Sequence, residues 1–224
     1  RVFVGLGLPI IQGYGMTETA PVITCNRAGD NDPLSVGRAL EGVALRLGES
    51  HELLARGPNV MLGYWNNAEA THAAVDADGW LHTGDLARIE NGRVYITGRL
   101  KDIIALSNGE KLPPADAEAA ILRDNIFEQV MLVGEGRPKL GLLCVSRAND
   151  ETELCTRANA QLHDFPGYAR ICHIARLDTP WSVEGGQLTP TLKLKRNEIL
   201  QRHAADIERM YVTSEICCPG KAGG

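Results

Sequence analysis

The sequence predicts an α+β fold in two parts, barrel-like antiparallel strands first and then a small α+β unit. Three observations carry that expectation. The strings SVGRALEGVALRLGE and HELLARGPNVMLGYW, between residues 35 and 65, alternate apolar with polar residues and break at glycines, which is the period of a half-buried antiparallel sheet. Residues 81–99 hold two more strand-like runs flanking Asn91-Gly92, a pair suited to a two-residue hairpin turn. Beyond Arg99 the character changes: Pro113-Pro114 leads into ADAEAAILRDN, a helix with proline at its start, and strands then alternate with helices. The break falls near residues 99–102, giving expected domains 1–99 and 100–213 and a flexible tail over 214–224.

In chain order, residues 1–12 (RVFVGLGLPIIQ) read as the end of a helix, a turn at Gly7 and a buried strand over 9–12. Residues 67–77 are alanine-rich, start at Asn67 and stop at Asp78-Gly79, as a helix would. Strands are expected at 126–133 and 140–145, joined by GEGRPK, followed by a helix at 152–163 and a strand at 171–175. PWSVEGGQL, residues 180–188, reads as a mobile loop of small and polar residues. A last helix over 194–210 carries the stripe Ile199, Leu200, Ala204, Ile207 and Tyr211, the mark of a docked helix.

Composition narrows the partners. The 224 residues are 44% hydrophobic and 23% charged, an ordinary globular balance that can bury a core. A net charge of -5, from 23 basic against 28 acidic residues, and only 5% aromatics give no footing for nucleic acid. The six cysteines show no Cys-x-x-Cys spacing and the histidines complete no zinc pattern, so the cysteines read as reduced thiols of a cytoplasmic protein, with Cys217-Cys218 in a loose tail. Cys172 and His173 are neighbours that would face opposite sides of a strand. The longest apolar run, residues 2–11, is broken by Gly and Pro and too short to span a bilayer. The chain begins at Arg1 in mid-pattern, as a piece of something longer would.

The chemistry-bearing residues cluster in a few strings. LHTGDLARIENGRVYITGRLKDIIALSNGEK, residues 81–111, offers Asp85 at the end of a TGD turn and, across the hairpin, Arg99, then Lys101 and Asp102 and the glycine turn Ser107-Asn108-Gly109-Glu110 before Lys111. A carboxylate accepts hydrogen bonds from a diol, and a guanidinium fork binds anionic oxygens in pairs, so one hairpin could grip both ends of a nucleotide. In GYGMTET, residues 13–19, two glycines let backbone approach a flat ligand and Tyr14 can present a ring face. Thr17 and Glu18 offer oxygens to phosphate and to a hard cation such as Mg²⁺. LTPTLKLKR, residues 188–196, is a loop that can carry Lys193 into a site, with Lys195 and Arg196 reading as solvated surface charges.

Taken together and in this order, GYGMTE, HTGD, GRLKD, SNGEK and LTPTLKLKR resemble the adenylate-forming superfamily, most closely its long-chain acyl-CoA synthetases, over residues 9–211. The resemblance implies that the barrel-like strands end a large domain and that a hinge at Lys101 joins them to a small α+β lid domain. It implies ATP or AMP binding by Tyr14, Gly15, Met16, Thr17, Asp85, Ile96, Arg99 and Lys193. In that scheme Tyr14 stacks on adenine, Thr17 contacts phosphate, Glu18 holds Mg²⁺, Asp85 takes the ribose hydroxyls, Ile96 lines the nucleotide and Arg99 reaches ribose or phosphate. Thr17, Glu18 and Lys193 are the implied catalytic residues, with Lys193 supporting adenylation, and the turn from Ser107 to Lys111 faces the site when coenzyme A is the acceptor.

The implied substrates are a fatty acid, ATP and coenzyme A. An insoluble acyl chain would bring the cytoplasmic parent into peripheral contact with membranes. The family's phosphate loop and the body of its large domain lie upstream of GYGMTE and are not in these 224 residues, so a C-terminal fragment without activity of its own is expected. Two alternatives stand beside this reading: an acyl-AMP ligase that hands its acyl group to a carrier protein, and a truncated non-catalytic module that binds a nucleotide or a partner.

Overall fold

The computed structural model of the chain describes residues 5–8 and 10–212. The chain divides into two compact units, Arg1–Asp102 and Ile103–Gly224. The expected helix end over residues 1–4, Pro9, and the tail over 214–224 with Cys217 and Cys218 lie outside the described residues.

The first unit is built on seven strands: β1 (Gly13–Gly15), β2 (Val22–Cys25), β3 (Gly37–Ala39), β4 (Ala44–Leu47), β5 (Glu52–Arg56), β6 (Leu81–Glu90) and β7 (Arg93–Arg99). They form one sheet in the order β1-β2-β3-β7-β6-β5-β4, open in its hydrogen bonding and not a closed barrel. All of its pairings are antiparallel. The β6–β7 hairpin turns where Asn91 (φ 51°) and Gly92 (φ 77°) both take the left-handed conformation that a type I′ turn requires. Ile23, Val36, Leu53, Ala55, Ala87 and Val94 make its buried core. Helix α1 (Ala68–Ala74) starts where the Asn67 side chain accepts from Ala70 N–H, which satisfies one orphan donor of the first turn.

The second unit opens with the two-stranded ribbon β8 (Ile104–Ala105) and β9 (Lys111–Leu112), then α2 (Pro114–Ile121). A three-stranded sheet follows, with β11 (Leu140–Ser146) between β10 (Phe127–Val133), antiparallel to it, and β12 (Ile171–Leu177), parallel to it. The crossover from β11 to β12 carries α3 (Glu151–Ala160), and α4 (Arg196–Arg202) and α5 (Ala204–Val212) end the unit. All of β11 is buried, as its run LGLLCV demands of a strand covered on both faces. On one face Leu142 and Cys144 meet Ile121 and Leu154; on the other Leu143 and Val145 meet Trp181, Ile199 and Met210.

Four expectations are corrected. Residues 10–12 are exposed and outside regular structure, so no buried strand forms there; Gln12 offers one carbonyl to Asn26 N–H before the β1–β2 ladder begins. The last helix is two, broken at His203 (φ -105°, ψ 21°), and Leu200 and Ala204 are exposed, so the docked stripe is buried Ile199 and Met210 with half-buried Ile207 and Tyr211. The 180–188 loop is fastened: Trp181 is 2% exposed, and its N–H and C=O bond the two ends of the Gln129 amide at 2.6 and 2.9 Å. Cys155 and Cys172 are disulfide-bonded, not reduced, while Cys25 and Cys144 are free thiols.

Burial pushes the Cys144 thiol up to about 12, whereas Cys25 is only half-buried. Because the thiolate is the reacting form, iodoacetamide at about pH 8 should label Cys25 in the native chain and spare Cys144 until denaturant is added. Peptide mass mapping reads both sites, and native labelling of Cys144 would contradict its burial.

Candidate functional site

In the first unit the site is built around the carboxylate of Asp85, which is 7% exposed. Asp85 on β6 sits opposite Arg99 on β7, and Arg99 Nε lies 3.0 Å from its Oδ1. The hydroxyl of Tyr14, on β1, donates to the other oxygen at 2.6 Å. In the sheet β1 and β6 are separated by β2, β3 and β7. Four interstrand steps would span roughly 19 Å on a flat sheet, far beyond a tyrosine's reach. The sheet therefore twists and curls until its edge stands over β6, and this curl is the form that the expected barrel-like character takes. Burial first, and then the bond to Asp85, raise the Tyr14 phenol well above its ordinary range, so it stays the donor.

The TGD turn is held by residues that the sequence did not single out. Glu52, itself buried, accepts Gly84 N–H on Oε1 at 2.9 Å and meets His82 Nδ1 with Oε2 at 2.9 Å. Thr83 donates to Leu53 C=O at 2.7 Å and accepts Asp85 N–H at 3.2 Å. Gly84 has φ +69°, a conformation that any Cβ would strain. A bulge between Leu86 and Ala87 shifts the register just after Asp85, and the pairing resumes with Ala87 opposite Ile96. A glutamate opening the buried string ELLA was the available signal, since a buried carboxylate needs a partner.

Thr17 and Glu18 lie in a single 3-10 turn, Thr17–Thr19. The buried Thr19 hydroxyl closes that turn by accepting Met16 N–H and donating to backbone carbonyls of Met16 and Pro21. Asn59 donates to the carbonyls of Thr19 and Val22, Met61 N–H to Glu18 C=O, and the Tyr64 hydroxyl to Glu18 Oε1 at 2.9 Å. Asn59 and Tyr64 hold this turn and were missed by the sequence reading, since nothing local marks a loop that folds back across 40 and 46 positions. At Gly15 a Cβ would stand 1.7 Å from the Pro21 carbonyl oxygen, so only glycine lets β1 lie this close. Ile96 and Tyr14 pack against the same core cluster.

In the second unit Ser107, Asn108, Gly109, Glu110 and Lys111 are exposed on the β8–β9 turn, which is closed by Leu106 N–H to Glu110 C=O and by Gly109 at φ +87°. Lys193 is exposed on a loop pinched by a Leu188–Leu194 bridge, and Thr189 accepts its N–H on Oγ1 at 3.0 Å. Lys195 is a surface charge as expected. Arg196 is not: its side chain is 15% exposed and pairs with Glu118 at 2.7 Å. Lys101 is exposed in the turn Leu100–Asp102 at the end of the first unit.

This arrangement suits a ligand with a diol and anionic oxygens. Among the described residues Arg99 pairs with Asp85 through Nε, leaving its fork able to take a second partner. Glu18 offers Oε2 beside the Oε1 that Tyr64 holds, a hard donor of the kind Mg²⁺ accepts. No cluster of three or more His, Cys, Asp or Glu is placed for a metal among the described residues. A cation at Glu18 would therefore complete its shell with ligand and water oxygens, which suits Mg²⁺. No helix among the described residues is long and apolar enough to cross a membrane.

Comparison with known proteins agrees with the motif order. Residues 101–215 match the family model described as AMP-binding enzyme C-terminal domain, and residues 1–65 match the one described as AMP-binding enzyme. The long-chain-fatty-acid–CoA ligase FadD15 of Mycobacterium bovis is 33% identical over 92% of this chain and 39% of its own length. The long-chain-fatty-acid–[acyl-carrier-protein] ligase AEE15 of Arabidopsis thaliana is 27% identical over 94% of this chain and 34% of its own. The solved O-succinylbenzoate coenzyme A synthetase of Bacillus subtilis, in complex with AMP, superposes with a TM-score of 0.71 at 25% identity, over 88% of this chain and 42% of its own. The chain thus spans roughly two fifths or less of the length of these relatives.

Subtracting the alkaline absorbance titration of Tyr14→Phe from that of the unaltered chain isolates the Tyr14 phenol, and its midpoint should lie well above the ordinary value of about 10. Because the folded value is raised, the stability that this group contributes is complete below about pH 10 and drains as pH climbs through the folded value. The two chains should therefore differ in stability at neutral pH and converge in strong alkali. A midpoint near 10 would deny the buried bond to Asp85.

Proposed function

The chain belongs to the family of AMP-binding enzymes, and from that premise we propose that it is the C-terminal portion of an ATP-dependent long-chain fatty acid–CoA ligase. The observation that carries the reading is the meeting of Tyr14, Asp85 and Arg99 around one buried carboxylate. The similarity to FadD15 supports the substrate class. In the proposed first half-reaction a fatty carboxylate oxygen attacks the α-phosphorus of ATP, giving acyl-AMP and pyrophosphate. In the second the coenzyme A thiol displaces AMP and forms the thioester.

Each residue then has a stated task. Asp85 accepts from the ribose diol, its orientation fixed by Arg99 and the Tyr14 hydroxyl, while the Tyr14 ring and Ile96 give the base an apolar wall with Gly15 and Met16 beside it. Arg99 and the Thr17 hydroxyl take anionic oxygens, and Glu18 would hold a Mg²⁺ that offsets phosphate charge when bound. Lys193 supplies positive charge to the departing pyrophosphate. The turn from Ser107 to Lys111 serves the thioester step instead, the exchange being made by rotation of the lid (residues 100–213) about Lys101. Transfer to a carrier protein is the second reading, supported by the similarity to AEE15.

The test uses the complete protein that contains this chain. Pyrophosphate exchange reads adenylation, and supplied acyl-AMP reads transfer to coenzyme A or to carrier protein. Lys193→Ala should lower adenylation roughly 10²–10³-fold, the usual loss for one preorganised charge, while transfer to coenzyme A persists. Normal adenylation by Lys193→Ala would remove the assigned lysine, and transfer to the carrier alone would replace the acceptor.

The hinge has its own test. Proline fixes φ near about -65°, so Lys101→Pro should keep one half-reaction and lose the other. Equal loss of both in a folded protein would cancel the hinge.

A further inference from the structure

Lys193 is exposed, three residues before a cation that is not. Arg196 opens α4 and donates through Nη1 to Glu118 Oε1 at 2.7 Å and through Nη2 to Leu132 C=O at 2.6 Å. The same Glu118 oxygen accepts Leu132 N–H at 2.7 Å, so α2, β10 and the start of α4 close one ring of bonds. The two side chains are 15% and 11% exposed. A positive group at a helix N-terminus opposes the helix dipole, so the short α4 gains nothing from this charge as a cap. Its use lies across the ring.

Backbone bonds carry that fixation to Lys193. Lys195 N–H donates to Gln187 C=O at 2.8 Å, Leu188 bridges Leu194, and Thr189 N–H donates to Lys193 C=O at 2.9 Å. Leu192 N–H donates to Thr189 C=O at 2.8 Å, with Leu192 at φ 61°. Leu188 and Ile199 anchor the two ends of this loop in the core. Apolar burial is non-directional and sets how deep the loop sits, not how it is turned. A guanidinium fork bound to two fixed oxygens sets direction as well.

We propose that Arg196, held by Glu118 and Leu132, is the positioning residue that orients the Lys193 loop for adenylation. The inference rests on the reading of Lys193 given above. It makes Arg196 specific to one half-reaction, because the loop it steers serves that half alone.

Arg196→Lys is the decisive variant, keeping the charge and losing the fork. In the complete enzyme its adenylation kcat should fall on the order of tenfold, with KM values and transfer from supplied acyl-AMP to coenzyme A unchanged. In the 224-residue chain the amides of Leu192, Lys193 and Lys195 should exchange with deuterium faster, while amides of the β11 core keep their protection. Glu118→Gln, which keeps the shape and can place its one amide oxygen where Oε1 accepts both bonds but removes the charge, gives a milder loss in the same direction. Equal loss in both half-reactions would reduce Arg196 to a structural role, and wild-type adenylation by a folded Arg196→Lys would overturn the proposal outright. Lys193→Ala run alongside separates the failures. If it is crippled and Arg196→Lys is not, the inference alone falls; if it adenylates normally, the reading of Lys193 falls and takes the inference with it.

Discussion

The first unit is organised by the need to partner one buried carboxylate. An ionised carboxylate removed from water is tolerated only with compensating charge and hydrogen bonds, and Asp85 receives Arg99 from the neighbouring strand and Tyr14 from the edge strand. The second of these partners sets the shape of the sheet. Tyr14 reaches β6 only because the sheet curls, and β1 sits where it does only because Gly15 lets the backbone pass against Pro21. The turn before Asp85 is in turn held by Glu52, a second buried carboxylate with its own partners in His82 and the Gly84 amide. One buried candidate side chain thus links a glycine, a strand curl and a second buried carboxylate that would otherwise look unrelated.

The second unit solves a similar problem with a different element. Its central strand β11 is buried throughout and can be read as pure core. Around it, Glu118 and Arg196 form a buried ion pair that also satisfies the N–H and C=O of Leu132. Pairs of this kind are poor sources of net stability, because desolvation consumes most of their attraction. What they supply is geometry, since a guanidinium fork meets its acceptors in a fixed direction. Geometry matters here because the chain leaving this pair runs straight to the exposed loop of Lys193.

What the sequence made legible was local. Asn91-Gly92 specified its hairpin turn, Asn67 capped its helix, and LGLLCV announced a strand covered on both faces, because each of these needs only its neighbours in the chain. The meeting of Asp85 with Arg99 was readable from the hairpin, and their meeting with Tyr14 only from the order of family motifs. Arg196 and Lys195 were not separable from sequence, since two adjacent cations differ only by a glutamate 78 positions away from one of them. Trp181 lies in a string that reads as loop, yet it is buried in a cluster with Met131, Leu143 and Ile199 while Gln129 holds its backbone. The break at His203 leaves no sign in the helix periodicity, which runs on from Ile199 to Ile207 and Tyr211.

Leu192 shows how these levels combine. It is 71% exposed yet held in a left-handed conformation, which costs a non-glycine residue roughly 1–2 kcal/mol. Neither packing nor burial repays that cost, because the side chain faces solvent. The surroundings over-determine it instead: the Thr189 hydroxyl and carbonyl, the Leu188–Leu194 bridge and the Arg196 fork leave the loop one way to close. Strain of this kind collects where a side chain must be presented in a fixed direction, and the side chain presented next is Lys193. The ion pair, the pinched loop and the strained leucine follow one another along the chain, and the proposed chemistry depends on Lys193, which that loop exposes.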